Sequence, residues 1–232
     1  MRKFHISKEN IQLVIEKGHY NVDMGGWHLN FYYKPGSVKK AFIFSPGYID
    51  REKFPFPYFQ RIKWLDNYDC MGISLADPTL ELEEGLELGW FLGTIKCNYS
   101  HHIADFISKL LIHLDIKNSQ TLFFGSSAGG FSSLVFSGLI KGSCAFVVNP
   151  QTNILKFHDV NVLSKVSRIC FEGITGIGLE KNWKDRLCIS ELYKKNRLYP
   201  ENSNLAKHSR LLSLQKSFTP FLNGNRKNNN KK

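Results

Sequence analysis

Residues 125–129 (GSSAG) are the part of this sequence whose types and spacing could do chemistry. An apolar run comes before them and apolar residues at helical spacing follow, which predicts a buried strand, a very tight turn and a helix. In a G-x-S-x-G turn the central serine lies at the apex, and small neighbours let the strand and the helix pack closely. Ser127 occupies the apex and is the predicted nucleophile, with Gly125 and Gly129 as the small neighbours. Ser126 falls at a variable position.

The helix predicted after this turn gives the serine an electrostatic partner. A helix N-terminus presents unpaired N–H groups and the positive end of the helix dipole. When Ser127 attacks an acyl carbonyl, the N–H of Ala128 is one donor for the oxyanion that forms. Glycine and serine also cluster in ordinary turns, so the alternative is a glycine-rich turn that closes a β–α unit without chemistry.

The elements that must position this turn follow from the apolar patterns along the chain. Strands are predicted at residues 10–17, 27–33, 41–44, 70–75, 122–124 and 143–148, and helices at 55–65, 100–115 and after 130. The first two strands form an antiparallel hairpin, and the later ones form a mostly parallel sheet with helices on both faces. Phe59, Ile62 and Trp64 are expected to face inward from the first helix. Residues 1–200 form this single α/β domain.

The loop around Trp90 and Phe91 has two interpretations. Glycines at 89 and 93 bracket these aromatic residues, and the loop could lay aromatic surface over a pocket and bind a sugar ring. Trp90 and Phe91 are therefore candidate substrate-binding residues. The alternative is a loop that is anchored by buried aromatic side chains.

Composition limits the class of protein. A chain of 232 residues with 42% hydrophobic content can bury a substantial core. Its net charge of +11 suits an acidic partner such as an anionic polysaccharide, a membrane surface or nucleic acid. Much of that charge lies in residues 201–232, a basic Asn/Lys-rich tail that is expected to be disordered. No motif for specific nucleic-acid recognition, no transmembrane segment and no secretory signal core is found.

Cysteines and histidines do not indicate a disulfide framework or a metal site. The five cysteines are scattered and odd in number, which is typical of reduced thiols in a cytoplasmic protein. His101, His102 and His113 lie off the apolar stripe of their helix, with no carboxylate or cysteine at ligand spacing. Surface histidines, no metal and a cytoplasmic location are therefore expected.

Three stretches together resemble a known group of proteins. Residues 41–47 (AFIFSPG), 125–130 (GSSAGG) and 147–151 (VVNPQ) are similar to α/β-hydrolase-fold proteins of bacterial surface-polysaccharide loci. Those include serine-dependent O-acetyltransferases of capsules, and the glycan-acetylating component of accessory secretion systems looks similar. The resemblance covers roughly residues 40 to 155. It implies an α/β-hydrolase-like sheet and an acyl-enzyme on Ser127.

The resemblance also implies the other members of the site. The N–H groups of Ala128 and of Gly47 or Tyr48 would bind the oxyanion. The catalytic acid and base should follow the serine in the order Asp/Glu then His. Asp185 with His208 is the formal choice, and His158 is the other later histidine. After residue 151 no further strand is predicted.

The absence of a predicted strand there raises a second hypothesis. In this hypothesis the native C-terminal strand that carries the acid and the base is missing from a shortened or frame-shifted chain. Such a protein would keep the turn and lack the base.

Three functions are weighed on these grounds. The first is serine acyl transfer on an O-acylated glycan, as an esterase or an O-acetyltransferase, without a cofactor unless acetyl-CoA is the acyl donor. The second is a catalytically silent hydrolase-fold protein that binds a glycan or a glycosyltransferase. The third is a lipase directed to membranes by its basic surface, although no basic amphipathic helix is found.

Overall fold

A computed structural model describes residues 1–196 and shows a seven-stranded sheet. The strands are β1 (Lys3–Ser7), β2 (Gly18–Asp23), β3 (His28–Lys34), β4 (Val38–Phe44), β5 (Cys70–Leu75), β6 (Thr121–Ser126) and β7 (Cys144–Val148). Their spatial order is β1-β2-β3-β5-β4-β6-β7. Strands β5, β4, β6 and β7 are parallel to one another and β1 is parallel to β2, whereas β3 is antiparallel to both β2 and β5. The predicted mostly parallel sheet with an N-terminal antiparallel hairpin is therefore confirmed.

Six α-helices accompany the sheet within the described residues. They are α1 (Ile62–Leu65), α2 (Tyr99–His113), α3 (Ala128–Leu139), α4 (Val160–Phe171), α5 (Gly176–Leu187) and α6 (Ile189–Lys195). No helix in this part of the chain has the length and apolarity that a membrane crossing requires. The helices after β7 were not predicted from the sequence. The described chain contains no strand beyond β7.

The two faces of the sheet have separate cores, because successive side chains of a strand point to opposite faces. Ala41 and Ile43 of β4 pack into the larger core, which also receives the apolar residues of α2 and α3. Phe42 and Phe44 point the other way, into a smaller aromatic core closed by α1 and the loop before it. Strand β4 is thus covered on both faces, as its continuous apolar run predicts.

The prediction of a strand at residues 10–17 was wrong. This segment is a short 3-10 turn at Ile11–Leu13 with irregular flanks, and the strands on either side are β1 and β2. Within it Val14 is fully buried, whereas Leu13 and Ile15 are 50% and 63% exposed. The hydroxyl of Tyr20 accepts hydrogen bonds from the N–H groups at 15 and 16, so a side chain satisfies amides that a strand partner would otherwise need.

The predicted helix at 55–65 is mostly irregular, since only Ile62–Leu65 is helical. Phe59 is buried as expected, but Trp64 is 49% exposed, so its inward orientation was wrong. Leu65 takes the buried position instead and packs against β5, where a side chain on Gly72 would meet its methyl groups at 2.7 Å. His101, His102 and His113 are exposed on α2, as predicted.

Candidate active site

Ser127 lies between β6 and α3 in a strained, exposed turn. Its backbone has φ of 53° and ψ of −121°, a conformation that non-glycine residues rarely adopt. The Ser127 N–H donates to the carbonyl of Val148 at 3.0 Å, which ties the turn to the end of β7. Strain of this kind persists only where surrounding contacts hold it, and it is frequent at functional sites. The tight strand-turn-helix predicted from the sequence is present.

The glycines at both sides of the serine are required by close backbone contacts. A Cβ at Gly125 would lie 2.0 Å from the carbonyl oxygen of Gly129, and a Cβ at Gly129 would lie 2.5 Å from the carbonyl oxygen of Ser45. These contacts place the first turn of α3 against both β6 and the loop after β4. The G-x-S-x-G spacing thus has a steric cause in this chain.

The loop after β4 reaches the turn, where a Cβ on Gly47 would lie 3.3 Å from the carbonyl oxygen of Ser126. Within residues 1–196 the N–H of Ala128 has no hydrogen-bond acceptor, and neither has the N–H of Tyr48. The N–H of Gly47, by contrast, donates to Oε1 of Gln60 at 3.1 Å. Ala128 and Tyr48 are therefore the two candidate oxyanion donors that are unpaired in the described structure.

Gln151 is a site residue that sequence reasoning missed. Its Nε2 donates to Oγ of Ser127 at 2.8 Å, and its Oε1 accepts from Nε1 of Trp90 at 3.1 Å. The available signal was its place directly after β7, because loops at the carboxyl ends of parallel strands gather at one edge of the sheet. Nothing in the sequence showed that this amide would reach the serine.

Trp90 and Phe91 do not offer a surface to a sugar. Their exposed fractions are 1% and 0%, so the substrate-binding interpretation is corrected and the loop is anchored by buried aromatic side chains. The fully buried carboxylate of Asp77 accepts from the N–H of Phe91 at 2.8 Å and from that of Thr79 at 2.9 Å. Burial raises the pKa of Asp77 to about 6, against these two hydrogen bonds, which lower it. Trp90 is linked to Ser127 only through its hydrogen bond to Gln151 within the described residues.

Arg61 contacts the same turn through Ser126. Its Nη2 donates to Oγ of Ser126 at 2.8 Å, and its Nη1 donates to Oε1 of Gln60 at 2.9 Å. The guanidinium also lies over the rings of Trp64 and Phe124, with 5.9 and 5.4 Å to the ring centroids. Ser126 thus hydrogen-bonds to the cation Arg61, whereas Ser127 hydrogen-bonds to Gln151.

A catalytic acid and base are not assembled among the described residues. No histidine or carboxylate of residues 1–196 hydrogen-bonds to the hydroxyl of Ser127. Asp185 on α5 pairs with Lys195 at 2.5 Å. His158 is exposed, and its ring lies 4.5 Å from that of Phe157. His208 and the predicted tail 201–232 lie outside the described residues, so the pairing of Asp185 with His208 stays a prediction.

Known proteins resemble this chain in structure and not in sequence. No protein-family model and no curated protein sequence matches it. A structure of the glycosylation-associated Gap123 complex from Streptococcus agalactiae is similar with a TM-score of 0.57 and 15% identity, over 81% of this chain and 35% of that chain. The capsule O-acetyltransferase of Neisseria meningitidis serogroup A is similar with a TM-score of 0.52 and 17% identity, over 85% of this chain and 83% of that chain.

A mutant of the same O-acetyltransferase in complex with CoA gives a TM-score of 0.53 and 14% identity, over 86% of this chain and 81% of that chain. This chain spans about a third of the Gap123 chain that it matches. At such low identity the likeness concerns the fold alone. Together with the sheet order and the serine turn, it shows an α/β-hydrolase-like fold.

Proposed function

We propose that this protein is a serine acyl-transfer enzyme in which Ser127 takes up the acyl group of an ester or thioester. The observation that carries the proposal is the geometry of Ser127: an exposed residue with φ of 53°, directly before α3, beside the unpaired N–H of Ala128. An ordinary β–α turn has no need of a strained serine at this position. The strain and the donor together fit nucleophilic catalysis.

The chemistry runs in two steps. The Ser127 oxygen forms a bond to the acyl carbon while a base removes the hydroxyl proton, and the carbonyl oxygen becomes an oxyanion bound by the N–H groups of Ala128 and Tyr48. The tetrahedral intermediate then collapses, the leaving oxygen or sulfur takes the proton, and an acyl-enzyme remains. Water or a sugar hydroxyl attacks the acyl-enzyme in turn, which gives hydrolysis or transfer respectively.

The base of this reaction is proposed to be His208, with Asp185 as the acid that orients it. The order of the three residues along the chain is the order expected for this fold. In the described structure the Asp185 carboxylate already has Lys195 as a partner, so the pairing requires His208 to approach α5.

The glycan in the proposal comes from the structural neighbours. One of them is a capsule O-acetyltransferase, another is a glycosylation-associated complex, and a third structure of this group contains CoA. We therefore propose an O-acylated glycan as the substrate or product, with acetyl-CoA as the acyl donor where the reaction is transfer.

A second candidate function rests on Gln151. An amide donor on Oγ of Ser127 occupies the serine without abstracting its proton. A protein that keeps the turn and lacks the base would bind a glycan or a glycosyltransferase without turnover, since an unactivated serine is a poor nucleophile. The two functions differ in whether Ser127 becomes acylated.

The test is to trap the acyl-enzyme. The full chain is incubated with acetyl-CoA or with p-nitrophenyl acetate, quenched in acid and mapped by tandem mass spectrometry, which separates Ser126 from Ser127. We expect one acetyl group on Ser127 and none in Ser127→Ala. Ser137→Ala, a half-buried serine later on α3, is the matched control and should be acetylated like the wild type.

Absence of acetylation with both donors, in protein shown to be folded by circular dichroism, would contradict the enzyme. Glycan binding that survives Ser127→Ala without turnover would then favour the silent binding protein. When acetyl-enzyme does form, free acetate indicates an esterase, and an acetylated oligosaccharide indicates a transferase.

A further inference from the structure

Arg61 is a cation beside the serine turn that the proposed reaction does not use. It has a φ of 63°, in the left-handed region that non-glycine residues rarely occupy. The loop that carries it is fixed to the sheet, because the hydroxyl of Ser74 at the end of β5 donates to the carbonyl of Gln60 at 2.8 Å. The guanidinium is therefore held in one place, against Ser126 and over two aromatic rings.

No carboxylate within residues 1–196 forms an ion pair with Arg61. Its two hydrogen bonds go to neutral oxygen atoms, those of Gln60 and Ser126. An arginine has five N–H donors, so donors remain for another group. Partial burial lowers the pKa of Arg61, and no neighbouring charge opposes this effect. A half-buried, unpaired guanidinium favours an anionic ligand.

Arg61 lines a cavity of about 420 Å³. Its lining includes Tyr48, Asp50, Phe54, Tyr58, Gln60 and Arg61. The one acidic group in this lining, Asp50, is bound by Lys53 through Nζ at 2.7 Å and through the N–H at 3.2 Å. The cavity therefore combines aromatic walls with a cation, and it borders Tyr48, the candidate oxyanion donor.

We propose that Arg61 binds a phosphate or carboxylate group carried by the glycan, close to the ester on which Ser127 acts. This inference rests on the proposed function. Nη2 of Arg61 lies 2.8 Å from the hydroxyl of Ser126, and consecutive Cα atoms are about 3.8 Å apart, so Nη2 is within about 11 Å of the Ser127 hydroxyl. That separation suits an anionic group on the acylated sugar or on the neighbouring one.

The phosphates of CoA fit this position less well. The long pantetheine arm separates the thioester from the nearest phosphate, so a thioester at Ser127 would leave the phosphates beyond Arg61. Guanidinium groups bind both phosphate and carboxylate in a bidentate manner, so the experiment has to show which of the two anions Arg61 binds.

The test compares acetate esters that differ in charge. O-acetylated N-acetylglucosamine is the neutral ester, its 1-phosphate supplies the phosphate, and an O-acetylated methyl glucuronoside supplies the carboxylate. We expect wild-type kcat/KM to be at least tenfold higher for one of the two anionic esters than for the neutral ester. Arg61→Gln should reduce this ratio to within about twofold of one, and Arg61→Lys should retain part of it.

Lys63→Gln is the matched control, since it removes an exposed cation two residues from Arg61 that does not line the cavity, and it should keep the wild-type ratio. A ratio near one in the wild type, or an unchanged ratio in Arg61→Gln, would overturn the proposal. The proposal would also be overturned if the affinity for CoA depended on Arg61 while kcat/KM did not differ between the charged and the neutral esters.

Binding separates failure of this inference from failure of the proposed function. Non-acetylated N-acetylglucosamine 1-phosphate and non-acetylated methyl glucuronoside are each titrated calorimetrically into the full wild-type chain and into Arg61→Gln. A loss of affinity of at least tenfold in the variant for either compound supports the anion site even where no ester is turned over. Equal affinity of wild type and variant for both compounds, or no binding of either compound by the wild type, overturns it.

Discussion

At the scale of single residues, the Ser127 hydroxyl accepts a hydrogen bond from Gln151, and Gln151 is fixed in turn by Trp90. Gln151 Nε2 donates to the serine oxygen, and the buried indole of Trp90 fixes Gln151 by donating to Oε1. Because the amide uses a lone pair of the oxygen, the serine proton stays free to point towards a base. The hydrogen bond from Gln151 is thus compatible with both proposed functions. In an enzyme it would orient the serine oxygen for attack, and in a silent protein it would simply hold the side chain in place.

The positioning role of Trp90 is tested by Trp90→Phe. Phenylalanine keeps an aromatic ring in the core and removes the N–H that holds Gln151. We expect the rate of Ser127 acylation to fall about three- to tenfold, equivalent to about 1 kcal/mol, the worth of a neutral hydrogen bond.

Trp183→Phe is the control for Trp90→Phe, because it removes a partly buried indole that packs on Phe171 and has no bond to Gln151. Equal acylation rates in Trp90→Phe and wild type would exclude a positioning role for the indole N–H. Melting curves of both variants show whether packing accounts for a loss.

At the scale of elements, the contact between β6 and α3 depends on Gly125. Replacement by alanine puts a methyl group 2.0 Å from the Gly129 carbonyl, and backbone cannot move away as a side chain can. We expect Gly125→Ala to lower the free energy of unfolding by more than about 3 kcal/mol or to prevent folding. Urea denaturation measures the change.

Gly85→Ala is the comparison for that substitution. Gly85 has a φ of 74° with open space around it, so alanine there should cost only about 1 to 2 kcal/mol from the left-handed backbone. Similar losses of unfolding free energy in Gly125→Ala and Gly85→Ala would show that the close contact between Gly125 and Gly129 is unimportant for stability.

The loop of Trp90 is anchored by Asp77, and this anchor should be pH-dependent. The pKa of Asp77 is raised to about 6 in the folded protein, above the ordinary value of 3.8. The folded state therefore binds the proton more tightly than the unfolded state. The protonation of Asp77 therefore contributes about 3 kcal/mol to the free energy of unfolding. This contribution is fully present below about pH 4 and is lost as the pH rises through 6.

Asp77→Asn removes this titration. We expect the difference in unfolding free energy between wild type and variant to narrow by about 2 kcal/mol from pH 4 to pH 7, as measured by urea denaturation at each pH. The absolute stability of the variant falls as well, since asparagine accepts with one oxygen only. A difference that does not vary with pH would contradict the raised pKa.

Much of the element pattern could be predicted from the sequence. Continuous apolar runs identified β4, β5, β6 and β7, and the apolar stripe identified α2. The prediction of a strand at 10–17 failed because only some of its apolar residues are buried. The Tyr20 hydroxyl also accepts a backbone hydrogen bond there, which a neighbouring strand would otherwise provide. The serine turn was found through its steric requirement for glycines. The contacts of Gln151 and Arg61 were missed, since they join segments far apart in the sequence.

At the scale of the whole molecule, the sheet and its loops bring together the candidate nucleophile Ser127 and the candidate oxyanion donor Ala128, but no candidate base contacts Ser127 within residues 1–196. The described sheet ends at β7, and the described chain after it is helical. If Ser127 is activated, its base comes from residues beyond 196 or from another molecule. His208 is the histidine of this chain that lies there.

The central claim is that Ser127 is an activated nucleophile, and reaction of the full chain with a fluorophosphonate probe tests it most directly. We predict one adduct, mapped by mass spectrometry to Ser127, absent in Ser127→Ala and formed much more slowly in His208→Gln. No adduct in folded wild-type protein, or an adduct that persists in Ser127→Ala, would contradict the account.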